Sequence, residues 1–194
     1  MTTTNHIEAT PRTLRRVYRT LKNLPDRLLH QRRHDAVRRR LSKSAHLRRI
    51  LVVCHGNVCR SPYLQAVLQR SMPALSAASA GFVGAGRAVP DASLELSARR
   101  GLDLSRFRSR PLMLSEVCSA DLVIVMDPRQ ARALGARFPI PPRRIVVAGD
   151  LDPQFDETRA IVDPWNKSRE VFHSCFDRLD RCAATLVNSL QNGH

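Results

Sequence analysis

The stretch Ile50 to Pro62 reads ILVVCHGNVCRSP, and it gathers Cys54, His55, Asn57, Cys59, Arg60 and Ser61 within eight residues. Three kinds of chemistry suit such a set. Cys54, His55 and Cys59 offer zinc ligands, but no second Cys/His pair follows at zinc-ribbon or zinc-finger spacing. Cys54 and Cys59 offer a disulfide, which suits protection or regulation and leaves Arg60 and the Gly-Asn turn without a purpose. An oxyanion cradle uses every member of the set.

In the cradle reading, His55, Gly56, Asn57, Val58, Cys59, Arg60 and Ser61 form a phosphate-binding loop between a strand and a helix. The helix start supplies N–H groups and a positive dipole end. Gly56 and Asn57 tolerate positive φ, so the loop can turn its N–H groups inward as a nest. Cys54 leaves the strand at the floor of the cradle, where the dipole and a nearby cation favour its thiolate. Arg60 closes a Cys-x5-Arg spacing, and its planar fork takes two phosphate oxygens at once. Ser61 is placed to donate to the sulfur. Cys59, in the same small loop, is a candidate redox partner for Cys54.

A thiolate attacking phosphorus expels an alkoxide or phenolate, which needs a proton. The run IVDPWNKSRE supplies Asp163. Pro164 stiffens its loop, and Trp165 is suited to wall a cleft and stack on an aromatic leaving group. The catalytic set is therefore Cys54, Arg60 and Asp163.

The elements that must position these residues alternate along the chain. RRILVVC is a buried strand, and Ser61 and Pro62 read as the cap and first turn of the helix YLQAVLQRSM. SAASAGF is a second strand. DASLELSARRG is a helix that stops at Gly101, ADLVIVM a third strand, and Asp127-Pro128 a helix start. RRIVVAG is a fourth strand. Phe172, Phe176, Leu179, Ala183, Leu186 and Leu190 trace one face of a C-terminal helix. Alternation of this kind predicts an α/β fold, a parallel sheet flanked by helices with the phosphate loop after its first strand.

The chain has 194 residues and a net charge of +15. Residues 1–50 hold 14 Lys and Arg against 3 Asp and Glu, and the remainder is nearly balanced. The expected organisation is a basic, partly helical N-terminal arm over residues 1–47 and a catalytic domain over residues 48–194. Leu14, Val17, Leu21, Leu24 and Leu28 recur in the arm at helical spacing, interrupted by Pro25. A solvated tail is one reading of the arm; contact with an anionic membrane or nucleic acid is the other. Five cysteines without an export signal predict reduced thiols in the cytoplasm.

The run VCHGNVCRSP resembles the signature of the low-molecular-weight protein tyrosine phosphatases, and DPW resembles their late Asp-Pro-aromatic loop. The likeness extends from Arg49 to Leu190, with SAGF, ADLVIVMDP and SREVFHSCF at family-like places. It implies a four-stranded parallel sheet flanked by helices and no metal or organic cofactor. It also implies Cys54 as nucleophile, Arg60 on phosphate, Asp163 as acid and base, Asn57 as loop organiser and Ser61 assisting the thiolate. Phe82 and Trp165 are assigned to the substrate cleft.

The loop AGFVGAGRAVP lacks the tryptophan common in eukaryotic members, so it resembles bacterial enzymes that act beside tyrosine autokinases. The partner expected is therefore a phosphotyrosine protein, a tyrosine autokinase among the candidates. Some members reduce arsenate with a later cysteine pair; Cys118, Cys175 and Cys182 keep that alternative open. An inactive body carrying a nucleic-acid- or membrane-binding arm is the other, and the intact Cys54, Arg60 and Asp163 argue against it.

Overall fold

The structure, a computed structural model, describes residues 11–44 and 46–192, with side chains from residue 23 onward. A 32-residue helix α1 (Pro11–Ser42) leads into β1 (Arg49–Cys54) and α2 (Arg60–Ser71). β2 (Ser76–Gly81), α3 (Asp91–Arg99), α4 (Leu114–Ser119) and β3 (Leu122–Val125) follow. α5 (Pro128–Arg137), β4 (Ile145–Val147) and α6 (Arg169–Gln191) complete the order.

The four strands form one parallel sheet in the order β2-β1-β3-β4. The short β-branched runs are buried along nearly their whole length, as strands covered on both faces must be. Alternate residues of β1 serve opposite layers. Ile50, Val52 and Cys54 join the cluster built by α2, α6 and the end of α1; Leu51 and Val53 join Val117 of α4 and Leu134 of α5. β1 is central, and the chain leaves it for β2 on one side and β3 on the other. The crevice at its carboxyl end is thus the switch point where ligands bind in open α/β sheets, and Cys54 sits there.

Sequence marks end several helices. Asp127 caps α5 by accepting from the N–H groups of Arg129 and Gln130. Gly101 stops α3 with φ +72°. α4 escaped the periodic reading because one and a half turns carry too few apolar positions to show a period.

The arm departs from a wholly solvated tail. α1 runs through Pro25, and its C-terminal half packs on the domain. His30, His34 and Leu41 are buried and Val37 partly so, at helical spacing on one face. His34 Nδ1 lies 3.2 Å from the carbonyl oxygen of Asp150, and the His30 ring meets Phe155 edge-on at 5.3 Å. The packing face carries two histidines, so a search for apolar stripes passes over it. Leu24 and Leu28 of the sequence stripe are instead 42% and 70% exposed. The side chains of Leu14, Val17 and Leu21, and residues 1–10 of the arm, lie outside the described residues. Among the described residues no helix is long and apolar enough to cross a membrane.

Candidate active site

The loop after β1 wraps around the Cys54 sulfur. Asn57 takes the left-handed conformation at φ +51°, and its N–H donates to Cys54 Sγ at 3.2 Å. Gly56 does not take positive φ; what its missing side chain provides is room, since a Cβ there would lie 2.7 Å from the Arg87 guanidinium. Gly81 at the end of β2 gives the loop room from the other side, because a Cβ there would stand 3.0 Å from Asn57 N and His55 O.

The fully buried Asn57 side chain organises the loop. Its Nδ2 donates to Ser61 Oγ and to Ser79 Oγ, each at 2.9 Å, and its Oδ1 accepts from the N–H of Arg110 at 3.0 Å. Ser79 in turn donates to Gln65 Oε1 at 2.6 Å. Ser61, receiving from Asn57, directs its own hydroxyl to Cys54 Sγ at 3.0 Å. This corrects the expectation that Ser61 caps α2. The helix begins two residues earlier, at Arg60, with Cys59 at its cap position and no side-chain cap, and the Ser61 hydroxyl serves the sulfur instead. Two donors thus point at one sulfur.

Arg60, 4% exposed, reaches across to the loop that carries Asp163. Its Nη1 donates to the Ile161 carbonyl at 3.0 Å, and its Nη2 is ion-paired with the Asp163 carboxylate. Its buried Nε has no partner among the described residues, so its N–H is among those open to an anion. Asp163 is half-exposed, Pro164 is buried beneath it, and the Trp165 N–H donates to Asp163 Oδ1 at 3.3 Å.

Buried ion pairs hold that acid loop. Arg159 forks onto Asp150 at 2.8 and 2.7 Å. Arg178 donates to the carbonyls of Thr158 and Ala160 and, with Arg181, neutralises the fully buried Asp152. Every partner is hydrogen-bonded, the condition under which buried charge is tolerated.

A cleft of about 510 Å³ opens above the cradle, lined by His55, Phe82, Arg129, Gln130, Val162 and Asp163 among others. Phe82, assigned to the substrate cleft from the sequence, is one of these lining residues. Trp165 is 43% exposed beside Asp163 and is not among the lining residues. Arg129 and Gln130 come instead from the start of α5, which nothing in the sequence connects to a phosphate loop some seventy residues earlier.

Burial, Asp163 and Cys54 push the Cys59 thiol well above its ordinary range. Burial raises Cys175 to about 12 and also raises Cys182, so both α6 thiols are protonated core groups, a poor pair for the thiol relay of arsenate reduction. Cys118 is exposed on α4.

The sequence family described as "Low molecular weight phosphotyrosine protein phosphatase" matches residues 49–194. The chain belongs to this family. The phosphatase is similar to the "Probable low molecular weight protein-tyrosine-phosphatase EpsP" of Ralstonia nicotianae, at 37% identity over 70% of this chain and 90% of that protein. It is similar to the Wzb phosphatase of Salmonella typhi, at 33% identity over 73% of this chain and 93% of that one. Among solved structures, the tyrosine phosphatase AmsI of Erwinia amylovora superposes with a TM-score of 0.69 at 27% identity, over 74% of this chain and 93% of that one. The matched residues 49–194 include the sheet, the loop after β1 and the loop that carries Asp163.

Sequence reasoning missed Ser79, Gln65, Arg110 and Arg87 in this phosphatase. Ser79 lies in a strand of small residues, and its hydroxyl faces Asn57 only through the register that sets Val52 of β1 opposite Ser79. Arg87 sits in a Gly-rich loop, where a basic residue is ordinarily solvated.

Proposed function

We propose that the protein hydrolyses phosphotyrosine in proteins through a cysteinyl-phosphate intermediate. The observation that carries this reading is the sulfur that receives two hydrogen bonds at the floor of a loop whose His55 and Arg60, together with Asp163, line one cleft. Cys54 attacks phosphorus in line while Arg60 and the loop N–H groups hold the equatorial oxygens. The S–P bond forms as the P–O bond breaks, and Asp163 gives its proton to the tyrosinate, whose conjugate acid has a pKa near 10. Asp163, now ionised, takes a proton from water, which attacks phosphorus and returns the thiolate and free phosphate. Cys54 is 2% exposed, so its phosphoryl target must enter at the end of a slender stem. A tyrosyl ring holds its phosphate farther from the peptide backbone than a seryl side chain does, which suits a buried nucleophile. The test is a matched pair of peptides phosphorylated on Tyr or Ser. Turnover is expected for the first alone, and equal rates would overturn the reading.

A tyrosine autokinase is the partner implied by the likeness to bacterial members, and the cytoplasm is the compartment in which Cys54 stays reduced. The basic arm over residues 1–47 sits on the 48–194 domain through its stretch from His30 to Leu41, and an anionic membrane surface is the contact that the exposed part of α1 favours. Leu24, Leu28 and Leu29 are exposed at 42%, 70% and 39%, with Arg27 and Arg32 exposed beside them. Apolar and basic residues on one accessible stretch suit a lipid interface. Sedimentation with anionic but not neutral vesicles is the expected result. Equal partition with both, or binding to nucleic acid alone, would reject it.

A further inference from the structure

We propose that Arg87 is a positioning residue that locks the Gly56–Asn57 peptide with its N–H turned toward the reacting sulfur. The inference rests on Cys54 being the nucleophile. In a trans peptide the carbonyl and the N–H point in opposite directions. At the Gly56–Asn57 unit both ends are engaged. The Gly56 carbonyl accepts from Arg87 Nη2 at 2.7 Å, and the N–H of the same unit, on Asn57, donates to Cys54 Sγ at 3.2 Å. Holding the oxygen out holds the hydrogen in.

This is the unit of the loop that most needs a lock. Rotating a peptide plane changes ψ of the residue before it and φ of the residue after it. Gly56 has no Cβ to resist the first change. Asn57 at φ +51° stands in the left-handed region, from which a flip would return it to the commoner negative φ. A flipped unit would aim its carbonyl dipole at the thiolate and at the phosphate oxygens, turning an attraction into a repulsion at the reacting centre.

Arg87 is built to resist that rotation. Its Nη2 also donates to the Val83 carbonyl at 3.1 Å. Its main chain is tied to the neighbouring strand-like segment by its N–H to Ser109 Oγ at 3.0 Å and by Ser109 N–H to its carbonyl at 2.9 Å. Gly84, at φ +77°, leaves the space in which the guanidinium lies, since a Cβ there would run into it. Gly56 leaves the space on the opposite side. Gly84 of the loop GFVGAGR and Gly56 of the cradle thus share one task, that of admitting the Arg87 guanidinium.

The experiment compares wild type, Arg87→Met and Arg87→Lys in hydrolysis of p-nitrophenyl phosphate, in competitive inhibition by vanadate, and in thermal melting. One charge-assisted hydrogen bond is worth roughly ten- to a hundredfold in rate. Arg87→Met is expected to lose that much in kcat and to weaken vanadate inhibition by a similar factor. Arg87→Lys, with one point donor, is expected to fall between. Added methylguanidine is expected to restore part of the Arg87→Met rate. A structural role alone would lower the melting temperature and leave the vanadate constant in place. Should Arg87→Met fail to fold, Arg87→Gln, too short to reach Gly56, takes the same readings. A folded variant with kcat and vanadate inhibition within twofold of wild type overturns the lock. A wild-type protein without turnover removes the phosphatase reading as well, so the two failures are told apart.

Discussion

The Arg60 guanidinium and the Asp163 carboxylate are ion-paired, so the cation proposed to hold phosphate already holds the group proposed to donate the proton. An incoming dianion competes with Asp163 for the same N–H groups. Binding therefore loosens the carboxyl from Arg60 and leaves it over the leaving-group oxygen. Asp163→Asn is expected to lower turnover of phenyl phosphate by roughly 10²- to 10⁴-fold, the usual worth of a positioned acid. It removes the competing anion too, so inorganic phosphate is expected to inhibit the variant at least as tightly as wild type. The rate loss shrinks for leaving groups of low pKa. An equal loss along an aryl phosphate series would reduce Asp163 to a loop-shaping residue.

Cys54→Ser leaves Arg60, the loop N–H groups and the Asn57 network in place. It is expected to abolish turnover while retaining phosphate, measured by calorimetry. Arg60→Lys is expected to be nearly inactive for a different reason. A lysine supplies one charge but not the two parallel donors of the fork, nor the simultaneous reach to Ile161 and Asp163. Activity of either variant within tenfold of wild type would displace the residue from the mechanism.

The sheet, the loop around Cys54 and the loop that carries Asp163 were legible because each leaves a local mark. Buried β-branched runs gave the strands, Cys-x5-Arg gave the cradle, and Asp163-Pro164 gave the acid loop. What stayed hidden is long-range. Ser79 supports Asn57 through strand register, and Arg87 reaches Gly56 across 31 residues. Arg178 braces the acid loop from a helix whose apolar face alone was visible. Each is a polar side chain whose role depends on a partner that the fold supplies, and no periodicity carries that. The packing face of α1 was missed for a related reason, as its contacts run through His30 and His34.

Cys59 is buried below the cradle, where burial and the nearby Asp163 keep its thiol protonated. Peroxide would oxidise the Cys54 thiolate to a sulfenic acid, the O–O bond breaking with release of hydroxide. The Cys59 thiolate would then attack the sulfenic sulfur and expel its oxygen as hydroxide, which solvent protonates, giving a Cys54–Cys59 disulfide. Only the thiolate of Cys59 attacks, so capture is expected to quicken with pH, by up to about tenfold per unit while the thiol remains protonated. Mass spectrometry of peroxide-treated protein at pH 6.5 and 8.5 reads this directly. Irreversible inactivation at the same rate in wild type and Cys59→Ser, at both pH values, would exclude the role.

The seat of α1 makes residues 30–41 part of the folded domain rather than an appendage. Leu41 is 1% exposed and shares its cluster with Phe172 and Leu186 of α6. Leu41→Ala is expected to cost about 2–5 kcal/mol, a cavity in a packed core, and to lower the melting temperature by several degrees. Removing residues 1–22 spares the seat and is expected to leave melting and turnover of a small aryl phosphate nearly unchanged. Removing residues 1–45 takes the whole seat and is expected to destabilise the protein although no catalytic residue is lost. The histidines add a pH signature. Burial, helped by neighbouring His34, lowers the His30 pKa below 6.5, against the smaller opposing pull of Asp152 and Asp150. Below pH 6.5 the unfolded chain therefore binds a proton that the folded one resists, and stability falls as the pH drops through that window. Melting temperatures of wild type and His30→Leu, followed from pH 7.5 to 5.5, are expected to converge toward acid, with wild type losing more. Parallel curves would mean that His30 packs without titrating in that range.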